Sequence, residues 1–201
     1  MKITVIGATG MVGQRLVAEA ASRGHQVVAV SRSGQQVEGA SSALSLDIND
    51  TAALVEAIDA ADAAVITVPG PRDGRSDQII APHRAMIANP PAKRVLVVGG
   101  AGSLFASEGV RLKDSPDFPA DYLPEAAAFT TVLQDYEASE GIDWTMISPA
   151  PVLAPGERTG SYVEGTDSPV GESVSAEDLS VAIVDELERG NHRNQRFTVA
   201  N

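Results

Sequence analysis

Three glycines, Gly7, Gly10 and Gly13, stand at three-residue intervals between a short apolar run and an amphipathic segment. The first permits a tight turn, the second lets backbone approach a pyrophosphate, and the third lets a helix pack close to a strand. With Ala8, Thr9, Met11 and Val12 between and after them, they predict a cradle in which N–H groups at a helix start face phosphates. A bare strand–helix turn is the plain alternative, but an apolar run before, a helical pattern after and a second apolar run next is the context of a dinucleotide site. The second run ends in Ser31-Arg32-Ser33, with no acid until Glu38. An Asp or Glu there would bind a ribose 2′-hydroxyl, whereas an Arg accommodates a 2′-phosphate. A guanidinium flanked by two hydroxyls suits the phosphate, so NADP(H) is expected over NAD(H), against the reading of Arg32 as a solvated loop cation. Asp47, closing the third run, can reach an adenine edge or serve a turn; Asp50 is the better helix N-cap.

The elements that would hold these residues alternate. Apolar runs cover Lys2–Gly7, Gln26–Ser31, Ala43–Asp47, Ala63–Val68, Arg94–Gly99, Trp144–Ser148 and Arg196–Ala200. Amphipathic segments cover Met11–Arg23, Thr51–Asp59, Ser76–Ala88, Leu123–Glu140 and Ser175–Arg189, the last opening with Ser175 and Asp178 at capping-box spacing. The alternation predicts an α/β fold: a single Rossmann-type, doubly wound parallel sheet with helices on both faces, spanning 1–201 as one domain. Two irregular stretches, 100–119 and 149–171, follow predicted strands, which puts both at the carboxyl edge where such sheets bind ligands. These loops are expected to form an acceptor pocket.

Composition bounds the partners. The 201 residues carry 27 acids against 15 bases, a net charge of −12, without a Lys/Arg run. Such a surface repels nucleic acid and anionic lipid, so a small-molecule partner and a monomer or homodimer are expected. No cysteine is present, which removes disulfides and thiolate chemistry. The opening residues lack a signal-peptide pattern and no run approaches a membrane span; a cytoplasmic location is expected. No metal-ligand spacing is found.

At GATGMVG, SRSG, DIND and VVGGAGSL the chain resembles the atypical short-chain dehydrogenases, most of all their NAD(P)-binding NADH–flavin reductase group, near the biliverdin and flavin reductases in the NmrA-like superfamily. EAAAFTTVLQDYEASEGIDWTMISPA, PGERTGSY and VSAEDLSVAIVDELE look like the rest of that group. The resemblance implies cofactor contacts at the ends of later strands as well, at Val68, Pro69, Gly70, Gly99, Gly100, Pro149 and Ala150. It implies a substrate pocket lined by Arg72, Gly102, Ser103, Leu104 and Pro151.

One departure from that family decides the expected chemistry. Carbonyl-reducing short-chain dehydrogenases pair a Tyr with a Lys four residues on, the lysine lowering the tyrosine's pKa. Here the residues four after Tyr122, Tyr136 and Tyr162 are Ala126, Glu140 and Thr166. Tyr122 stands near the family's tyrosine without its partner, and Ser103 is a possible hydrogen-bond donor or a mere turn serine. His25, His83 and His192 read as surface residues. Hydride transfer to a delocalised ring needs no positioned protein acid, because the ring takes its proton from water and proximity at roughly 3–3.5 Å supplies the catalysis. The expected activity is NADPH-dependent reduction of a flavin-like or quinone-like acceptor, flavin being substrate rather than prosthetic group. Arg72 and Arg75 would meet the cofactor's pyrophosphate, an anionic acceptor, or only solvent. A catalytically silent NADP(H) sensor predicts the same missing acid. A sugar-nucleotide epimerase or dehydratase ranks third, since it needs the Tyr–Lys pair.

Overall fold

Apolar runs such as Ala63–Ile66 and Arg94–Val98 are buried at every position and need cover on both faces. The computed structural model, which describes residues 1–201, supplies it. In chain order the strands are β1 (Lys2–Ile6), β2 (Gln26–Ser31), β3 (Ser42–Ser45), β4 (Ala63–Ile66), β5 (Arg94–Val98), β6 (Phe105–Ser107), β7 (Val110–Arg111), β8 (Trp144–Pro149), β9 (Val152–Ala154), β10 (Val163–Gly165), β11 (Ser173–Ser175) and β12 (Gln195–Ala200). The helices are α1 (Met11–Ser22), α2 (Thr51–Asp59), α3 (Asp77–Ala88), α4 (Leu123–Glu137) and α5 (Ala176–Arg189).

Eight strands form the main sheet in the order β3-β2-β1-β4-β5-β8-β12-β10, all parallel except β10 at the edge. The strand order reverses between β1 and β4, and ligands of such sheets bind at that switch point, beyond the carboxyl ends. Side chains alternate across the sheet. Ile3, Val5, Val27, Leu96 and Phe197 face α1 and α5, whereas Ile6, Val30, Ile66, Val97 and Trp144 face α2, α3 and α4. The expected doubly wound sheet is therefore present, with an antiparallel edge strand added.

Local chemistry sets the helix ends. Asp50 caps α2 by accepting from the Ala53 N–H at 3.1 Å, as its spacing predicts. Ser175 caps α5 by accepting from the Asp178 N–H at 2.9 Å. The reciprocal half of the predicted capping box does not form, because the Ser175 N–H donates to Asn201 Oδ1 at 2.7 Å and the Asp178 carboxylate is engaged elsewhere. α4 stops at Glu137 rather than Glu140. β4 stops at Ile66, short of the predicted Val68, because Thr67 turns toward the glycine loop. The stretches predicted to be irregular contain the β6–β7 hairpin and strands β9 and β10, too short to show a period in sequence; β9 pairs with β11 just beyond them.

Candidate functional site

The glycine loop leaves β1 through Gly7, whose φ of +89° belongs to the left-handed region. A Cβ there would stand 2.7 Å from Thr67 Oγ1. Gly7 and Ala8 both donate to the Val30 carbonyl, at 2.9 and 3.1 Å, and the Gly10 N–H donates to the Gly7 carbonyl at 3.0 Å. Thr67 Oγ1, from the end of β4, donates to the Ile6 and Gly7 carbonyls at 3.0 and 3.1 Å. Thr67 thus holds the turn from the neighbouring strand, a role that no spacing in the sequence marks.

The three glycines do different work. A Cβ on Gly13 would lie 2.2 Å from the Gly7 carbonyl oxygen, so Gly13 lets α1 seat against the end of β1. A Cβ on Gly10 would meet only that same oxygen, at 3.2 Å, with the rest of its surroundings open. The N–H groups of Met11, Val12 and Gly13 are those that a helix start leaves without intrahelical acceptors, and Gly10 provides no side-chain cap. The loop is a cradle that an added side chain would fill, and it fits a pyrophosphate. Ala8 and Val12 are buried in the core and offer backbone alone, whereas Met11 is 41% exposed.

At the end of β2, Ser31 is buried and its hydroxyl lies 3.4 Å from that of Ser33. Ser45 Oγ donates to the Arg32 carbonyl at 2.8 Å, which fixes the Arg32 backbone. The Arg32 side chain is exposed and makes no ion pair. A cleft of about 480 Å³ lies between the start of α1 and the loop after Arg32, lined by Thr9, Gln14, Gln35, Gln36, Glu38 and Gly39 among others. Asp47 Oδ1 accepts from Asn49 N–H and Nδ2 at 2.9 and 2.8 Å. Those bonds, with the nearby charge of Arg32, hold its carboxyl below the usual range. Asp47 therefore serves a turn with one oxygen.

Loops after β4, β5 and β8 meet at the same edge. Val68 packs beside the α2–α4 core, Pro69 is exposed, and Gly70 is buried where a Cβ would lie 3.2 Å from Glu125 and 3.3 Å from Phe129. Gly99 is pressed on Met146, whereas a Cβ on Gly100 would meet nothing within 4 Å. A Cβ on Gly102 would stand 2.4 Å from that of Ala126. Ala126 is the residue four after Tyr122, and α4 therefore packs on the wall of the site at the position where the family's lysine would fall. Pro149 and Ala150 are buried, with the Ala150 N–H donating to the Val199 carbonyl at 3.1 Å, and Pro151 is exposed.

Several expected pocket residues are corrected by burial. Ser103 is 1% exposed; its hydroxyl donates to the Gly100 carbonyl at 3.1 Å and receives Arg196 Nη1 at 3.2 Å. Arg111 donates to its carbonyl. Ser103 is a gripped wall residue, and Leu104, fully buried, is core. The segment 155–162 also does not turn into a pocket. Arg158 bonds Glu19 through two nitrogens, at 2.7 and 2.9 Å. Asp178, fully buried, accepts from Thr159 Oγ1, the Gly160 N–H and Asn201 Nδ2 at 2.6, 2.8 and 2.7 Å. Burial pushes the Asp178 carboxyl up, but these donors outweigh it and the net shift is downward. The segment is latched along α1 and α5.

The histidines are corrected too. His83 is buried between α3 and α4, its Nδ1 2.9 Å from the Tyr136 hydroxyl. Burial pulls His83 down to about 4 and raises Tyr136, so neither titrates near neutrality. His25 bonds Glu188 at 2.8 Å, and His192 bonds Glu186 at 2.7 Å while stacked on Phe197. Among the tyrosines, Tyr162 donates to Asp185 Oδ2 at 2.7 Å in the latch, and Tyr122 alone stands at the carboxyl edge, 46% exposed at the start of α4. The Arg72 guanidinium lies 4.1 Å over the Tyr122 ring and donates through Nε to Glu125 at 2.9 Å.

Comparison with known proteins agrees with this geometry. A family model described as NAD(P)H-binding matches residues 7–189. The uncharacterized protein YwnB of Bacillus subtilis is 40% identical, over 99% of this chain and 98% of its own. A crystal structure from Streptococcus pneumoniae, named as a candidate NADH-flavin reductase, is 31% identical with a TM-score of 0.91, over 100% of this chain and 99% of the other. One from Bacteroides thetaiotaomicron, named as a candidate epimerase, is 34% identical with a TM-score of 0.88, over 99% and 96%. No helix is long and apolar enough to cross a membrane.

Proposed function

Because the chain belongs to the NAD(P)H-binding family, we propose that it is an NADPH-dependent reductase that passes hydride to a flavin-like or quinone-like conjugated acceptor. The observation that carries this reading is the contact of Gly102 with Ala126. It fills the place of a lysine partner for Tyr122 with the wall of the site, leaving an acceptor that needs no protein acid. The reduced nicotinamide, when bound, supplies the hydride. The Gly7–Gly13 loop binds the pyrophosphate through backbone N–H groups, and Arg32 with Ser33 receives the 2′-phosphate. Gly100 leaves open space at the end of β5, which lets a flat ring approach. Proximity between bound ring and bound cofactor is the catalytic contribution. The name of the S. pneumoniae relative supports this reading; that of the B. thetaiotaomicron relative points to chemistry for which the residues here provide no Tyr–Lys pair.

Two experiments test the proposal. NADPH oxidation, followed by the loss of the reduced cofactor's absorbance, should be seen with free flavin or a quinone and not with simple ketones. Tyr122→Phe should keep most of that rate, since removing a general acid typically costs about 10²–10⁴-fold. A collapse on Tyr122→Phe would establish a tyrosine mechanism with Arg72 as the cation. No turnover with any flavin or quinone, despite tight NADPH binding, would favour a sensing role. Nucleotide choice is tested by Arg32→Ala, expected to weaken NADPH binding by about 1.5–3 kcal/mol, the range of a hydrogen bond to a charged group. NADH binding should hardly change in the same calorimetric titration; equal losses would remove Arg32 from the 2′-phosphate.

A further inference from the structure

Two arginines lie on the loop after β4, and the structure separates them. Arg75 is closed on Asp73, its Nε 2.7 Å from Asp73 Oδ2, and both side chains are more than half exposed. Arg72 is held differently. Its Nε is anchored by Glu125, whose side chain is 18% exposed, and one face of the guanidinium is stacked on Tyr122. Its Nη donors hold no carboxylate and no backbone carbonyl, and 56% of the side chain is exposed. A guanidinium anchored at one edge and stacked on one face presents the other edge as a rigid two-donor fork, which matches a carboxylate or phosphate.

Its place in the fold gives the fork a use. The loop springs from the carboxyl end of β4, next to the switch point, directly after Thr67 has tied that strand to Gly7. It is pressed on α4 at Gly70, so the fork stands on a supported backbone. Part of the ordering cost of binding is already met, because the rotamer is held before a ligand arrives. On a chain of net charge −12, a cation with a free edge there is also a local attraction in a field that repels anions.

We propose that Arg72, on its Tyr122 platform, is a specificity-determining residue that receives an anionic substituent, phosphate or carboxylate, of the conjugated acceptor. The inference rests on the reductase reading and adds the acceptor's charge to it. Glu125 positions the fork and partly offsets its charge.

The test uses the whole protein saturated with NADP⁺ and follows quenching of flavin fluorescence. Riboflavin, FMN and a carboxymethylflavin share one ring and differ in the absence or nature of an anionic group. Wild type should bind FMN about tenfold tighter than riboflavin; a matching gain for carboxymethylflavin assigns the site to either anion, and a gain for FMN alone assigns it to phosphate. Arg72→Ala should erase the preference and leave riboflavin binding unchanged, and Arg72→Lys should restore only part of it. Tyr122→Phe should keep the preference, whereas Tyr122→Leu should lose most of it with the platform. Equal affinity of wild type for all three flavins overturns the proposal, as does a parallel loss of all three in Arg72→Ala. Weaker NADPH binding by Arg72→Ala without flavin would move Arg72 to the cofactor and also overturn it. Anion discrimination without NADPH oxidation would leave the role of Arg72 standing and defeat the reductase reading alone.

Discussion

Gly10→Val should abolish dinucleotide binding while the protein stays folded. The added Cβ meets only the Gly7 carbonyl oxygen, at 3.2 Å, so the native backbone accommodates it with a shift of a few tenths of an ångström. The isopropyl group then stands in the open space over the helix start, where phosphate oxygens would meet the N–H groups of Met11, Val12 and Gly13. Losing about two charge-assisted hydrogen bonds costs roughly 3–6 kcal/mol, or at least a hundredfold in affinity. Calorimetry with NADPH reads the loss, and an unchanged circular dichroism spectrum shows that the fold survives. Near wild-type affinity would mean that the phosphates lie elsewhere. Gly13→Ala makes the contrast, because its Cβ would stand 2.2 Å from the Gly7 carbonyl oxygen and 2.8 Å from Ala8 Cα, both backbone atoms. That variant should lose stability first and binding as a consequence.

Glu186→Ala should destabilise the protein without touching the site. Glu186, 4% exposed near the end of α5, accepts from Arg94 at the start of β5, from the His192 N–H at 3.0 Å and from His192 Nδ1 at 2.7 Å. Arg94, 6% exposed, also donates to the Glu186 carbonyl at 3.1 Å and to Thr145 Oγ1 at 2.6 Å. Removing the carboxylate leaves a buried guanidinium without its counter-charge, at a cost of about 3–5 kcal/mol. Urea titration should show a lower midpoint at constant slope. NADPH affinity of the folded variant should be unchanged, because the cluster lies at the amino edge of the sheet, opposite the glycine loop. Replacing both partners, Arg94→Met with Glu186→Leu, should recover most of the stability, since no unpaired charge is then buried. An unaltered midpoint in the single variant would refute the staple.

The same cluster sets a pH dependence. Burial pushes the Glu186 carboxyl up, but hydrogen bonds from Arg94 and His192, together with the Arg94 charge, outweigh it and bring it below the free value of 4.5. A group whose folded pKa is depressed contributes stability above its unfolded pKa and loses it as pH falls through the folded one. The acid limb of the wild-type stability curve, below pH 4.5, should therefore be steeper than that of Glu186→Ala.

Much of the fold is legible in the chain because its signals are local. Val- and Ile-rich runs separated by 3.6-period segments define the parallel sheet, and Gly7, Gly10 and Gly13 define the cradle by their spacing alone. Asp50 and Ser175 announce their helix starts because a cap acts only three residues away. Arg32 is legible for the same reason: its place at the end of β2 follows from counting strands.

Where a residue's role depends on a partner far along the chain, spacing carries no trace of it. Thr67 reaches Gly7 across 60 residues, Arg72 meets Glu125 across 53, and His83 meets Tyr136 across 53. His83 reads as a surface residue in sequence because no partner for it is visible there, and only packing of α3 on α4 buries it against Tyr136. Ser103 and Leu104 carry the composition of a binding loop, yet Arg111 and Arg196 hold Ser103 inward and Leu104 is fully buried. The segment 155–162 follows a strand that points at the site, but Arg158 and Asp178 draw it onto α1 and α5. Sequence by itself determined that this protein folds as a dinucleotide cradle and lacks a Tyr–Lys pair. Tertiary structure decided which groups stand open at the carboxyl edge, because long-range pairing depends on how helices dock on the sheet rather than on the order of residues within any one element.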